Sequence, residues 1–281
     1  MNTVHPTPTA LTDLRPAIAP PPPRRPVQWR RALHALRALL DDPDDTAKAF
    51  EVFLALDGDE EEARFQRLLA NPSGARLAAQ RPSLIDALSD RAALQALPAG
   101  SFGRAYLAYL DANGFAADGL VKLKADMEAY AATVGEPLPV LDATREWFRV
   151  RGLLVHDLWH VLTDYGTDDL GETLLLGFSC AQMSGRANRL LLIGATLRSV
   201  GDNGAALARE IYRAWRRGRR AVWLAALPYE SLLAEPLDAV QGLASIEPAA
   251  IAHPNGIPRG SRRSAPAAKA APVLPSNGGH A

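Results

Sequence analysis

From residue 29 onward, apolar positions recur at three- and four-residue intervals, the spacing that lines one face of an α-helix. Trp29, Leu33, Leu36 and Leu40 mark one such face, and Ala49, Phe50, Phe53, Leu54 and Leu56 mark another. No segment shows the strict two-residue alternation of a half-buried strand. Helix-stopping signals punctuate the pattern: NPSG at 71–74, LPAG at 97–100, ANGFAADG at 112–119 and GEPLPVLD at 135–142. Each can end one helix and admit the next. The pattern predicts an all-α fold, a single helical domain. Helices are expected over residues 143–164, over 169–200 with an interruption allowed near Gly185, and over 203–217.

Proline distribution sets the domain limits. Eight of the 22 prolines fall in residues 1–26 and six in 248–281. The run at residues 20–23 favours an extended polyproline conformation, and the C-terminal stretch has too little apolar surface to offset the entropy of ordering. The reading is a disordered Pro-rich tail at 1–26, a helical domain at 27–247 and a disordered tail at 248–281.

Composition changes this picture mainly by exclusion. The 31 basic residues balance 31 acidic ones, which is not the footprint of a nucleic-acid-binding surface. The single cysteine, Cys180, excludes an intramolecular disulfide framework and any CxxC site, and reads as a small buried hydrophobe. The longest apolar runs, Leu174–Phe178 and Leu190–Leu197, fall well short of the ~20 residues that cross a bilayer. The first 26 residues lack the apolar segment of a secretory signal and are too proline-broken for an amphipathic transit helix. A cytosolic or membrane-surface location is therefore expected.

Four of the six histidines (His5, His34, His253, His280) stand alone in the tails or on a polar helix face. His156 and His160 differ. Their i,i+4 spacing puts both imidazoles on one side of a helix, about 40° apart, with Asp157 about 100° from His156. Imidazole nitrogens and carboxylate oxygens both suit zinc or another first-row divalent ion. A further anionic ligand is needed, and Asp164, Asp168, Asp169 and Glu172 follow closely. If the turns at Gly166 and Gly171 reverse the chain, Glu172 returns to the first helix. A pair of half-buried histidines, each bonded to a carboxylate, is the alternative. A zinc-peptidase reading conflicts with Asp157 standing where that helix motif needs the longer Glu. An HD-type phosphohydrolase reading lacks a good upstream histidine, since His34 is the only one in the domain.

The segment resembles the coenzyme Q biosynthesis protein 4 family, whose signature is His-Asp-x-x-His, eleven residues, then Glu. Here it reads His156, Asp157, Leu158, Trp159, His160, residues 161–171 and Glu172. Upstream, LPAGSFGRAYLAYLDANGF resembles the family's Pro-x-Gly-Ser-x-Gly segment, and YESLLAEPLDAVQGL its closing Glu-x-Leu-x-x-x-Pro-Leu segment, so the likeness covers roughly residues 95–245. The resemblance implies a helical, membrane-associated protein that holds a metal, zinc or else iron or another first-row ion, through His156, Asp157, His160 and Glu172. It also implies a role in ubiquinone biosynthesis: replacing the carboxylate at ring carbon 1 of a polyprenylated hydroxybenzoate by hydroxyl, an oxidative decarboxylation. The alternative is a non-catalytic, lipid-binding scaffold for the biosynthetic enzymes. Implied partners are the prenylated aromatic substrate, those enzymes and a membrane surface, with no nucleic acid; a homo-oligomer is allowed. The implied location is peripheral on the inner face of the cytoplasmic membrane or, in a eukaryote, on the matrix side of the mitochondrial inner membrane.

Two further features invite function. Arg209, Arg213, Arg216, Arg217, Arg219 and Arg220 cluster with Tyr212, Trp215 and Trp223. They suit either an anionic lipid surface or a solvated helix end. Leu174, Leu175, Leu176 and Phe178 could pack the core or line a polyprenyl tunnel.

Overall fold

The computed structural model describes residues 19–42, 45–133 and 139–258. Among them lie α1 (Trp29–Asp41), α2 (Thr46–Leu56), α3 (Glu60–Ala70), α4 (Pro72–Gln80), α5 (Leu84–Ser89), α6 (Arg91–Ala96), α7 (Phe102–Asn113), α8 (Gly119–Thr133), α9 (Ala143–Thr163), α10 (Asp169–Gln182), α11 (Arg186–Arg220), α12 (Tyr229–Leu232), α13 (Leu237–Leu243) and α14 (Ala249–Ala252). No strand occurs among the described residues, and the isolated antiparallel bridge between Ser101 and Pro236 is the one extended pairing found there. The all-α expectation holds.

Local chemistry explains the boundaries. Asn71 caps α4 by accepting from the Ser73 and Gly74 amides, with Pro72 at the first helical position. Ser101 accepts from the Arg104 amide to start α7, and Gly114, at φ 67°, ends that helix in the left-handed conformation glycine favours. Asp142 accepts from the Thr144 and Arg145 amides at the head of α9, and Asp168 from the Leu170 and Gly171 amides at the head of α10.

The core forms where α9 meets its neighbours. Leu154, Val155, Leu158, Trp159 and Leu162 of α9 bury themselves against Phe102, Tyr106 and Leu110 of α7 and against Leu170, Leu174 and Phe178 of α10. Leu207, Ile211 and Ala214 of α11 close that core from behind. The Leu174–Phe178 run is thus spent on packing, with Leu176 turned to the smaller cluster between α1, α2 and α11. The antiparallel α10–α11 pair runs very close: a Cβ at Gly218 would fall 2.5 Å from the Phe178 carbonyl oxygen.

Two segments recognised separately in the sequence meet in space. The Phe102 amide donates to the Glu235 carbonyl (2.8 Å), the Gly103 amide to Leu233 (2.8 Å) and the Leu237 amide to Gly100 (3.0 Å). The upstream Pro-x-Gly-Ser-x-Gly turn is therefore pinned to the closing Pro-Leu segment. That segment also holds α9: Glu230 pairs with the buried Arg151, and the Tyr229 hydroxyl accepts from Trp159 Nε1 at 2.9 Å.

Several expectations need correction. The helices expected over 169–200 and 203–217 are divided differently: α10 ends at Gln182, the break is at residues 183–185, and α11 runs unbroken to Arg220. The break is set from outside, because the Glu60 carboxylate of α3 accepts the Arg186 amide (2.9 and 3.0 Å) and so caps α11. On α1 the buried face is Ala32, Ala35 and Leu36, while Trp29 and Leu33 are exposed. Here α1 packs on α11 with Leu36 seated over Gly194, where a Cβ would lie 2.7 Å from the Leu36 side chain. On α2, Val52, Ala55 and Leu56 are buried and Phe53 faces out.

The expected disorder of the tails concerns chiefly residues 1–18 and 259–281, which lie outside the described residues together with His5 and His280. Residues 248–258 do not behave as a tail. They form α14 and bury His253, whose Nδ1 meets Glu210 at 2.7 Å and whose Nε2 meets the Tyr165 hydroxyl at 2.9 Å. Prolines at 248, 254 and 258 bound a docked segment instead of marking its loss.

Candidate metal centre

The α9–α10 hairpin builds the site. Asp164 ends α9 in the left-handed conformation, which short polar side chains tolerate. Five residues, 164–168, then reverse the chain. A Cβ at Gly171 would fall 2.2 Å from the Gly166 carbonyl oxygen, so only glycine lets the first turn of α10 seat against this loop. Glu172, the next residue, is thereby brought back over α9.

His156, His160 and Glu172 each present one ligand atom, and these atoms lie within 4.8 Å of one another. Glu172 Oε1 stands 3.4 Å from His160 Nε2, and Oε2 stands 3.9 Å from His156 Nε2. The two rings are edge to face with centroids 4.9 Å apart. His160 is buried, whereas the His156 side chain is 41% exposed and gives the site its solvent side.

Hydrogen bonding assigns the ring nitrogens. The Tyr165 carbonyl can only accept, so His160 Nδ1, 3.0 Å away, carries the proton and donates. Asp157 Oδ1 lies 3.2 Å from His156 Nδ1 and orients that ring in the same way. Both Nε2 atoms are then left to face the Glu172 carboxylate. His160 Nε2 is buried without a hydrogen-bond partner. A lone pair turned toward a carboxylate is repulsive unless a cation lies between them. Burial alone would lower the His156 pKa, but the bond to Asp157 and the charges of Glu172 and Asp157 outweigh it and raise the pKa above the ordinary value. The site therefore favours positive charge. Two imidazoles and a carboxylate suit zinc or another first-row ion, and a residue that holds the far ring nitrogen is the usual support of such a ligand.

Of the four residues implied by the resemblance, His156, His160 and Glu172 converge, while Asp157 falls outside that group and bonds to His156. Of the other acidic candidates, Asp168 caps α10 and Asp164 is the exposed cap of α9. The sequence reading missed Tyr109, whose ring stacks on His160 with centroids 5.6 Å apart. It stands in α7, within the segment that follows the Gly-Ser turn, and that was the available signal.

The arginine cluster divides into packed, ion-paired and exposed members. Arg217 is buried: its Nε donates to the Glu247 carbonyl and its Nη1 to the Thr163 carbonyl, each at 2.6 Å, and its guanidinium lies over the Tyr165 ring. Arg213 pairs with Glu210 and Arg220 with Glu247. Arg209, Arg216 and Arg219 are exposed, the last over Trp215. No helix among the described residues is long and apolar enough to cross a membrane. Cys180 is buried, and burial pushes its thiol up to about 11.

Comparison with known proteins adds the family. The model of the family described as "Coenzyme Q (ubiquinone) biosynthesis protein Coq4" matches residues 62–130 and 140–250. The bovine protein named ubiquinone biosynthesis protein COQ4 homolog, mitochondrial, is 30% identical over 181 residues, 63% of this chain and 63% of its own length. The COQ4 protein of Mycosarcoma maydis, also named mitochondrial, is 31% identical over 144 residues, 51% of this chain and 35% of its own length. The chain thus spans a little under two thirds of the bovine relative. A crystal structure of a Nostoc punctiforme protein, described as a candidate ubiquinone biosynthesis protein, superposes with a TM-score of 0.56 at 21% identity. It covers 79% of this chain and 100% of its own, which establishes the likeness of fold.

Proposed function

Because the chain belongs to the Coq4 family, we propose that it acts in ubiquinone biosynthesis, in the metal-dependent oxidative decarboxylation of a polyprenylated hydroxybenzoate. The observation that carries the chemical part is the buried, unpartnered Nε2 of His160 facing Glu172. His156, His160 and Glu172 would hold the ion, with Asp157 and the Tyr165 carbonyl fixing the ring nitrogens. A bound divalent cation supplies Lewis acidity, holding a ring carboxylate or phenolate and stabilising the negative charge that develops as carbon dioxide leaves.

The chain's own contribution is positional. The Asp157 and Tyr165 contacts hold both rings at Nδ1 and oppose ring rotation, so each Nε2 stays turned to the site without reorganisation. The half-exposed His156 leaves one side open for the aromatic head of a substrate. In the overall change the bond from ring carbon 1 to the carboxyl carbon breaks, carbon dioxide departs and a carbon–oxygen bond forms. That conversion is a two-electron oxidation of the ring compound. It balances with dioxygen as oxidant when water supplies the new hydroxyl oxygen and hydrogen peroxide is released, or when one oxygen atom enters the ring, the other leaves as water and an external donor supplies two electrons. The exposed Arg209, Arg216 and Arg219 beside Tyr212 and Trp215 support peripheral contact with an anionic membrane, where the prenylated substrate resides.

The test is conversion of a carboxylated prenyl-phenol by purified protein of measured metal content, compared with Glu172→Gln, which keeps side-chain volume but replaces the anionic donor. Loss of turnover in a well-folded Glu172→Gln protein supports catalysis. Normal decarboxylation by folded, metal-free protein defeats it. A scaffold would instead fail only in proportion to lost assembly with its partner enzymes.

A further inference from the structure

Tyr109 takes no part in holding a cation, yet the fold delivers it to the site and holds it firmly. Its ring lies within 21° of parallel to the His160 imidazole, and Phe115 meets it edge-on with centroids 6.0 Å apart. Asn113 Nδ2 donates to the Tyr109 carbonyl at 2.8 Å, and Thr167 Oγ1 donates to Asn113 Oδ1 at 2.7 Å, which ties the last turn of α7 to the α9–α10 loop. For all this support, the Tyr109 hydroxyl is buried without a hydrogen-bond partner among the described residues. The Asp157 carboxylate is the acceptor near it, but the two make no hydrogen bond of normal geometry. A phenol hydroxyl can donate. A buried donor left unmet is unfavourable, and natural structures rarely keep one without a use.

Four buried side-chain atoms lack partners among the described residues, and two of them, Tyr109 Oη and His160 Nε2, belong to stacked rings at one site. The other two, Arg151 Nε and Arg217 Nη2, belong to guanidiniums that are otherwise well paired. The unmet valences at the site are complementary in kind: a lone pair that can bind a cation and an O–H that can donate to an anionic oxygen. We propose that Tyr109 contacts the ligand, its hydroxyl donating to a carboxylate or phenolate oxygen of an aromatic compound that also reaches the cation on His156, His160 and Glu172. This rests on the cation reading of the site. It adds a condition: with no cation, the Asp157 and Glu172 carboxylates repel the same anion, so the contribution of Tyr109 is realised only when the ion is bound.

Tyr109→Phe isolates the hydroxyl, since the ring that stacks on His160 is retained. The full chain is loaded with cobalt(II), whose visible absorption reports its ligand sphere, and titrated with 4-hydroxybenzoate. Wild type and Tyr109→Phe should take up cobalt equally and melt alike, while the variant binds 4-hydroxybenzoate roughly tenfold to a hundredfold more weakly, the scale of a hydrogen bond to a charged group. The metal-free proteins should show no difference. Equal affinity of the two cobalt proteins for the probe overturns the proposal while leaving the cation site standing. So does loss of cobalt from the variant, which would make Tyr109 a support of His160, and so does a wild-type cobalt spectrum indifferent to the probe. Failure of wild type to take up cobalt defeats the cation reading itself.

Discussion

His160 and His253 are buried to the same degree, each 1% exposed, and Tyr165 serves both. Its carbonyl accepts from His160 Nδ1, and its hydroxyl meets His253 Nε2. They differ at the remaining nitrogen. His253 Nδ1 is matched by Glu210 at 2.7 Å, so that imidazole is complete and fastens α14 to α11. His160 Nε2 has no such partner and faces Glu172 across 3.4 Å. Burial alone does not separate the two rings; the unmet nitrogen is what marks His160 as the candidate ligand. Arg216 and Arg217 repeat the contrast, one pointing to solvent and the other joining Thr163 to Glu247.

The largest effect is expected at the unmet nitrogen. His160→Ala should abolish stoichiometric metal in elemental analysis, whereas His253→Ala should retain it. If both variants lost the ion equally, unmet valence would not be what separates the two rings. Asp157→Asn comes next, because it weakens the acceptor that holds His156 Nδ1 without removing a member of the converging group. Loss of such support typically reduces metal affinity by about 10–100-fold, measurable by competition with a chelator. An effect as complete as that of His160→Ala would make Asp157 a direct ligand.

His253→Ala should act on stability. It removes the partner of Glu210 Oε2 and of the Tyr165 hydroxyl, while Arg213 still pairs with Glu210 Oε1, at a cost of about 2 kcal/mol. For a domain of this size that lowers the melting temperature by roughly 4–8 °C. Its pH dependence has a definite sign. Burial depresses the His253 pKa below 6.5 and outweighs the opposing bond to Glu210. The unfolded chain therefore binds a proton that the folded protein resists, and wild-type stability falls as the pH drops below 6.5. Urea midpoints measured across that range should show a shallower slope for His253→Ala; parallel slopes would mean that His253 does not titrate differently on folding.

The smallest effect is expected at the exposed arginine. Arg216→Glu should weaken binding to anionic liposomes several-fold at low salt, since each basic residue near such a surface contributes about 1 kcal/mol. The difference should shrink as salt is added. Unchanged binding would assign Arg216 to the solvated helix end. Arg217→Glu is no substitute, because it would place a buried carboxylate against two carbonyl oxygens.

What could be known from the chain alone was set by interactions between near neighbours. Asn71, Ser101, Asp142 and Asp168 cap amides two or three residues away, so helix starts were legible in the local order of residues. The i,i+4 placement of His156 and His160 is likewise a property of one helix. Packing decided the rest. The buried face of α1 is Ala32, Ala35 and Leu36, with Leu36 seated over Gly194 of α11, a contact no periodicity contains. The head of α11 is capped by Glu60, 126 residues away, and His253 is completed by Glu210, 43 residues away, and by Tyr165, 88 residues away. Glu172 was nameable as a ligand candidate, but its distance from His160 depends on how Gly166 and Gly171 close the hairpin. Tyr109 reaches the site because α7 packs against α9, the turn before α7 being pinned to residues 233–237. A sequence records which groups each residue can offer; whether a buried donor or acceptor is met or left open is decided only when distant segments pack and exclude water.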